Sequence, residues 1–175
     1  MLADIQQGVT MASYECGKEE TKIWIKHNFE HGSTALDVGA CDGKWGKMLG
    51  SYLEMDGCEA FLPNITNHHL ANIYRKVFGC DIADLEYEWY DLIIFGDVIE
   101  HMSVEKAQKV IEYAKPRCKD MIIAVPYLYS QGAIYGNPYE VHIQNDLTPK
   151  IFDERYKGFE PIWQNNEYAY YHRKL

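Results

Sequence analysis

Five short apolar runs punctuate the chain, at residues 35–40, 57–62, 76–80, 91–96 and 121–127, and the stretches between them carry helical periodicity. Trp45, Met48, Leu49, Tyr52 and Leu53 recur at i, i+3, i+4, i+7 and i+8, which puts them on one face of an amphipathic helix. Val104, Ala107, Ile111 and Ala114 do the same, with Ser103 as N-cap and Pro116 as stop. Residues 63–76 are less regular, but Ile65, Leu70, Ile73 and Val77 can share a face. Strands that are continuously apolar and alternate with helices predict a mostly parallel sheet covered on both faces. Right-handed crossovers make this an α/β, doubly wound, Rossmann-like sheet, whose ligands bind at the carboxyl ends of the strands.

The ends of the chain complete the picture. Residues 19–29 predict a helix laid over that ligand site. Thr148-Pro149 reads as an N-cap followed by proline at the first helical position, and Gly158 as the stop. The aromatic tail 159–173 predicts two more strands, an antiparallel edge pair. With 175 residues and no Pro/Gly/Ser-rich divider, residues 1–175 are expected to form a single domain.

Charge narrows the partners. Lys plus Arg number 17 against 26 Asp plus Glu, a formal charge of −9 with no basic run, which argues against a nucleic-acid partner. No apolar run approaches the roughly 20 residues of a membrane span, and the start of the chain, with Asp4, lacks a signal-peptide pattern. Cys16, Cys41, Cys58, Cys80 and Cys118 form no CxxC pair, so reduced thiols and a cytoplasmic location are expected. A monomer or homodimer fits this composition.

The sharpest chemical signal is Leu36-Asp37-Val38-Gly39-Ala40-Cys41-Asp42-Gly43-Lys44-Trp45-Gly46, where a strand ends in a tight turn and a helix opens at once. That geometry brings a ligand close to the backbone and to the N–H groups of a helix start. Glu59 follows Asp37 by 22 residues, Asp81 follows Glu59 by 22, and Asp97 follows Asp81 by 16, each just past a predicted strand. Carboxylates at successive strand ends point into one crevice, and the one after the second strand is placed to chelate ribose hydroxyls.

Over residues 35–127 the sequence resembles the class I S-adenosylmethionine-dependent methyltransferases. Asp37-x-Gly39-x-x-x-Gly43 is similar to their first motif, Asp-x-Gly-x-Gly-x-Gly, with Cys41 where the middle glycine is usual. Asp97-Val98-Ile99-Glu100-His101 resembles their fourth, Asp-Val-x-Glu-His. The resemblance implies S-adenosylmethionine as cofactor. It also implies that Asp37 and Gly39 flank its methionine part, that Ala40, Asp42, Gly43 and Asp97 belong to the cofactor site, and that Glu59 holds its ribose. Asp81-Ile82 would contact the adenine, and Phe61 would stack on it.

For the acceptor, His101 and His142 are the candidate catalytic residues, since a histidine there can take a proton from a hydroxyl or amine. A small-molecule acceptor, metabolite or sugar-like, is expected, with Tyr127, Tyr129, Tyr135, Tyr139 and Trp163 available to line its pocket. Asp97, Glu100, His101 and His142 form an alternative O/N set for a divalent metal, similar to the small-RNA 3′-terminal 2′-O-methyltransferases. The Asp-Val-x-Glu-His string also occurs in metal-free relatives, so no metal is expected. A nicotinamide oxidoreductase would carry Gly-x-Gly-x-x-Gly and a substrate domain, for which the chain has no room. A non-catalytic binder of the same cofactor is the other rival.

Overall fold

A computed structural model of the protein describes residues 15–134 and 136–173. Residues 1–14, on which the signal-peptide expectation rested, and Tyr135 lie outside the described residues. The sheet runs β3-β2-β1-β4-β5-β7-β6. Its strands are β1 (Thr34–Val38), β2 (Glu54–Cys58), β3 (Val77–Phe78), β4 (Tyr90–Gly96), β5 (Cys118–Pro126), β6 (Phe159–Gln164) and β7 (Tyr168–Arg173). β1 to β5 pair in parallel, while β7 runs antiparallel to β5 and carries β6 outside it. The strand order reverses between β1 and β4, which opens a crevice at their carboxyl ends.

The apolar runs are continuous because both faces are covered. Leu36, Val38, Ile93, Phe95, Ile123 and Val125 turn to one face, against α4 (Val104–Ala114) and Phe152 of α5 (Pro149–Arg155). Ala35, Leu92, Ile94, Ile122 and Ala124 turn to the other, against Ile25 of α1 (Lys18–Asn28) and Trp45 and Leu49 of α2 (Lys44–Leu49). Each large side chain so buried contributes about 1.5–3 kcal/mol relative to exposure. The expected caps are in place: Ser103 Oγ accepts from Lys106 N at 3.2 Å, and Thr148 Oγ1 from Ile151 N at 3.2 Å ahead of Pro149. Gly158 adopts φ +87°, which suits a glycine stop.

Some boundaries differ from the sequence pattern. The second strand occupies Glu54–Cys58 rather than residues 57–62, because Asp56-Gly57, which resembles a turn, is buried in the sheet. Asp56 is matched by Arg75, whose Nε and Nη2 donate at 2.9 and 3.0 Å, and by the Tyr90 hydroxyl at 2.8 Å. Residues 59–61 then leave the sheet and α3 (Leu62–Asn67) begins. α2 ends at Leu49; Tyr52 and Leu53 fall in the turn after it, although Leu53 stays buried. Residues 63–76 divide into α3 and a 3₁₀ turn, Leu70–Asn72, on whose apolar side Ile65, Ile73 and Val77 pack. α1 runs along the sheet's C-terminal edge rather than over the crevice: the Trp24 and His172 rings stand 4.6 Å apart. Only its first residue, the buried Lys18, faces the site's acids Asp97 and Asp42. No described helix is long and apolar enough to cross a membrane.

Burial raises the Asp56 carboxyl, but Arg75 and Tyr90 more than offset this and hold it below the usual carboxylate range. Its contribution to stability is therefore present above the unfolded-state pKa and lost as pH falls. Arg75→Met is expected to cost about 2 kcal/mol near neutrality, the scale of hydrogen bonds to a charged group. Urea denaturation should show that difference shrinking as pH falls below the usual carboxylate range and Asp56 takes a proton.

Candidate functional site

A cleft, partly open to solvent, lies over the carboxyl ends of β1 to β4. Asp37, Gly39, Ala40, Asp42, Glu59, Asp81, Ile82, Asp97 and His101 all line it. Three expected residues do not. Gly43 opens α2 at φ 77°, where a Cβ would stand 2.6 Å from Ile73 Cδ1, Phe61 stands outside the lining, and His142 lies behind His101.

The turn 39–43 is held in an unusual backbone shape. Gly39, Cys41 and Gly43 have φ of 71°, 46° and 77°. A Cβ on Gly39 would stand 2.6 Å from Val98 Cγ2. Cys41 occupies the left-handed region without being glycine, a conformation that costs about 1–3 kcal/mol and persists only where its surroundings fix it. Glu59 does so, accepting from Cys41 N at 2.8 Å with one oxygen and from Phe61 N at 2.7 Å with the other. Burial pushes the Cys41 thiol up to about 12, so it is a packed, protonated group.

Each of the other acids has its own holder. Asp37, only 1% exposed, accepts from the Tyr74 hydroxyl, which itself receives Gly46 N at 3.3 Å. Burial still lifts the Asp37 carboxyl to about 7. Asp81 caps the 3₁₀ turn Ile82–Asp84 through Ala83 N at 2.9 Å, and its other oxygen takes Lys106 Nζ at 2.5 Å. Asp97, at φ 57°, accepts from the Tyr168 hydroxyl of β7 at 2.5 Å. Glu140 closes the cleft from the loop after β5, its carboxylate held by Asn137 and Gln131. Six carboxylates thus meet Lys44 and Lys106 in the lining, a field that favours a cationic ligand.

The wall of the cleft around His101 is built by one glutamine. Gln144 Nε2 donates to Ile99 O at 2.7 Å and Met102 O at 3.1 Å, and its Oε1 accepts from the Tyr156 hydroxyl at 2.7 Å. Ile143 N and Gln144 N donate to Glu100 O at 2.8 and 2.9 Å. These bonds dock the loop onto the 3₁₀ turn Ile99–His101 and bring the two histidine rings edge to face, 4.6 Å apart. His101 Nδ1 lies 3.2 Å from Val141 O and His142 Nδ1 2.9 Å from Tyr129 O. Burial lowers His101 to about 4 and lowers His142 too, so both rings are neutral near pH 7. Of the expected aromatics, Tyr139 lines the cleft and Tyr129 packs on His142. Tyr127 is buried against the Tyr171 hydroxyl, and Trp163 lies over Gly17. Asp97 is drawn towards Tyr168, while Glu100, His101 and His142 cluster without it.

Tyr74, Tyr168, Lys106, Gln144 and Glu140 were not legible in the sequence. Each comes from an element distant in the chain from the group it serves, and no fixed spacing marks it.

The fold is that of the class I S-adenosylmethionine-dependent methyltransferases, with its parallel strands and reversed C-terminal hairpin. A Clostridium acetobutylicum S-adenosylmethionine-dependent methyltransferase superposes with TM-score 0.68 at 10% identity, over 90% of this chain and 89% of that one. The Burkholderia thailandensis 1,6-didemethyltoxoflavin-N1-methyltransferase, solved with 1,6-didemethyltoxoflavin and S-adenosylhomocysteine, gives 0.67 at 16%, over 90% and 77%. Magnesium protoporphyrin IX methyltransferase of Synechocystis PCC 6803, solved with S-adenosylmethionine, gives 0.63 at 12%, again over 90% and 77%. No family model and no curated protein sequence matches the chain.

A buried acid raised to about 7 contributes most to stability below its unfolded pKa, and that contribution is lost as pH rises through about 7. Asp37→Asn is therefore expected to raise the melting temperature of the ligand-free protein at about pH 8 and to change it much less near pH 4, close to the unfolded-state value. Thermal scans of both proteins at the two pH values check this.

Proposed function

We propose that the protein transfers a methyl group from S-adenosylmethionine to a hydroxyl or amine of a small-molecule acceptor. The observation that carries this reading is the convergence of Asp37, Glu59, Asp81 and Asp97 in one cleft at the strand-order reversal. The donor set fits the cofactor group by group. Asp37, buried and reluctant to ionise, would gain most from an ammonium beside it, and Asp42 and Asp97 complete that anionic end. Glu59 spends one lone pair of each oxygen on the turn and keeps others for ribose hydroxyls. Asp81 would accept from the adenine amine, with Ile82 against the ring and Lys106 tethering the acid. Gly39 and Ala40 keep the turn small enough for close approach.

When bound, S-adenosylmethionine supplies a methyl already activated on a sulfonium, so alignment and exclusion of water are the protein's main contribution. His101 lines the acceptor side of the cleft and meets the substrate; His142, behind it, supports the ring. Both are neutral near pH 7, and the burial that lowers His101 to about 4 makes it a weak base until a bound acceptor or charge raises it. Tyr139, half exposed at the rim, offers a face for a planar acceptor, in keeping with the heterocyclic compounds named for two of the similar structures. The acidic lining and the charge of −9 disfavour an RNA acceptor. A cytoplasmic setting suits the free Cys41, Cys58 and Cys80 thiols.

Calorimetry tests the reading. S-adenosylmethionine and S-adenosylhomocysteine should both bind, and NADH should not. Asp81→Asn should weaken both by roughly tenfold to a hundredfold, since a lost hydrogen bond to a charged group costs about 1.5–3 kcal/mol. Glu59→Gln should weaken both and also lower the melting temperature, because Glu59 holds the Cys41 turn. NADH binding with no affinity for S-adenosylhomocysteine would reverse the assignment.

A further inference from the structure

Glu100 is the residue that the cofactor site leaves unexplained. Its side chain is 0% exposed, and neither carboxylate oxygen has a hydrogen-bond partner among the described residues. A fully buried carboxyl is normally bonded, and one that is not points to a missing third party. Three ligand atoms, one each from Glu100, His101 and His142, lie within 4.8 Å of one another. The Nδ1 atoms of the two rings are engaged by the Val141 and Tyr129 carbonyls, which fixes the tautomers and leaves the Nε2 lone pairs available. The loop carrying His142 is bonded through Ile143 N and Gln144 N to the backbone carbonyl of Glu100 itself, so the three groups are held together by main chain.

We propose that Glu100, His101 and His142 form a site for one divalent transition-metal ion behind the wall of the cleft that His101 lines. Two imidazoles and one carboxylate suit zinc, manganese, iron or cobalt, and suit magnesium or calcium poorly. Three protein ligands leave a fourth position open. The set differs from the four-residue alternative visible in the sequence, because Asp97 is turned to Tyr168. Since His101 lines the cleft, an ion there would fix the ring that meets the acceptor. That last role rests on the donor reading above; the ion site itself does not.

The test is a titration of chelator-treated protein with Zn²⁺, and separately with Co²⁺, followed by calorimetry and by the Co²⁺ absorption bands. One ion per chain, a raised melting temperature and no response to Mg²⁺ are expected. Glu100→Gln and His142→Ala should each lose at least about a hundredfold in ion affinity, because removing even an outer partner of a metal ligand costs 10–100-fold. Circular dichroism and melting in chelator establish that both variants remain folded; should His142→Ala unfold, the near-isosteric Glu100→Gln decides. Absence of saturable binding in the parent protein, or binding unchanged in the variants, would overturn the proposal and leave the histidines as free bases. S-adenosylhomocysteine affinity measured on the same samples separates the two readings: donor binding without the ion defeats this proposal alone, and ion binding without the donor defeats the donor reading alone.

Discussion

Holding several carboxylates in one crevice is the constraint around which the rest of this molecule is arranged. Parallel strands ending side by side put Asp37, Glu59, Asp81 and Asp97 into a common space, where burial raises the cost of ionising Asp37 and Glu59, and Glu59 and Asp42 add to it at Asp37. The protein meets that cost with donors drawn from separate elements. Tyr74 holds Asp37, the amides of Cys41 and Phe61 hold Glu59, Lys106 holds Asp81, and Tyr168 holds Asp97. A bound cation would complete what these donors begin.

The same arrangement ties distant parts of the chain to the chemistry. Tyr168 lies on β7, so the C-terminal hairpin positions a group at the end of β4 as well as closing the sheet. Gln144 bonds the long loop to the backbone of the Ile99–His101 turn and to the side chain of Tyr156, just past α5. The wall of the cleft around His101 is therefore built on fixed main-chain contacts, the kind of support that holds side chains in register.

What the sequence discloses and what it hides follow from the range of each interaction. β1, β4 and β5, the capped α4 and α5, and the acids at the strand ends are written in local pattern, and they are where the pattern places them. β2 was displaced because the charge of Asp56 is cancelled by Arg75, a partner no window of sequence can assign. Cys41 marks the left-handed position that the related motif gives to glycine, and only the structure shows that Glu59 keeps it there. Phe61 stands at the expected place in the chain but outside the cleft lining, since the backbone turns at Glu59 to enter α3. The aromatic set thought to face the acceptor divides in the same way, with Tyr127 and Trp163 consumed by packing.

The central claim is that this cleft delivers a methyl group to a small molecule. Incubation with S-adenosylmethionine carrying an isotopically labelled methyl and a cell extract, followed by separation into small-molecule, protein and nucleic-acid fractions, addresses it directly. Label entering the small-molecule fraction only when the protein is present is the predicted result. Label confined to nucleic acid, or no transfer to any fraction by protein that binds the donor, would contradict it.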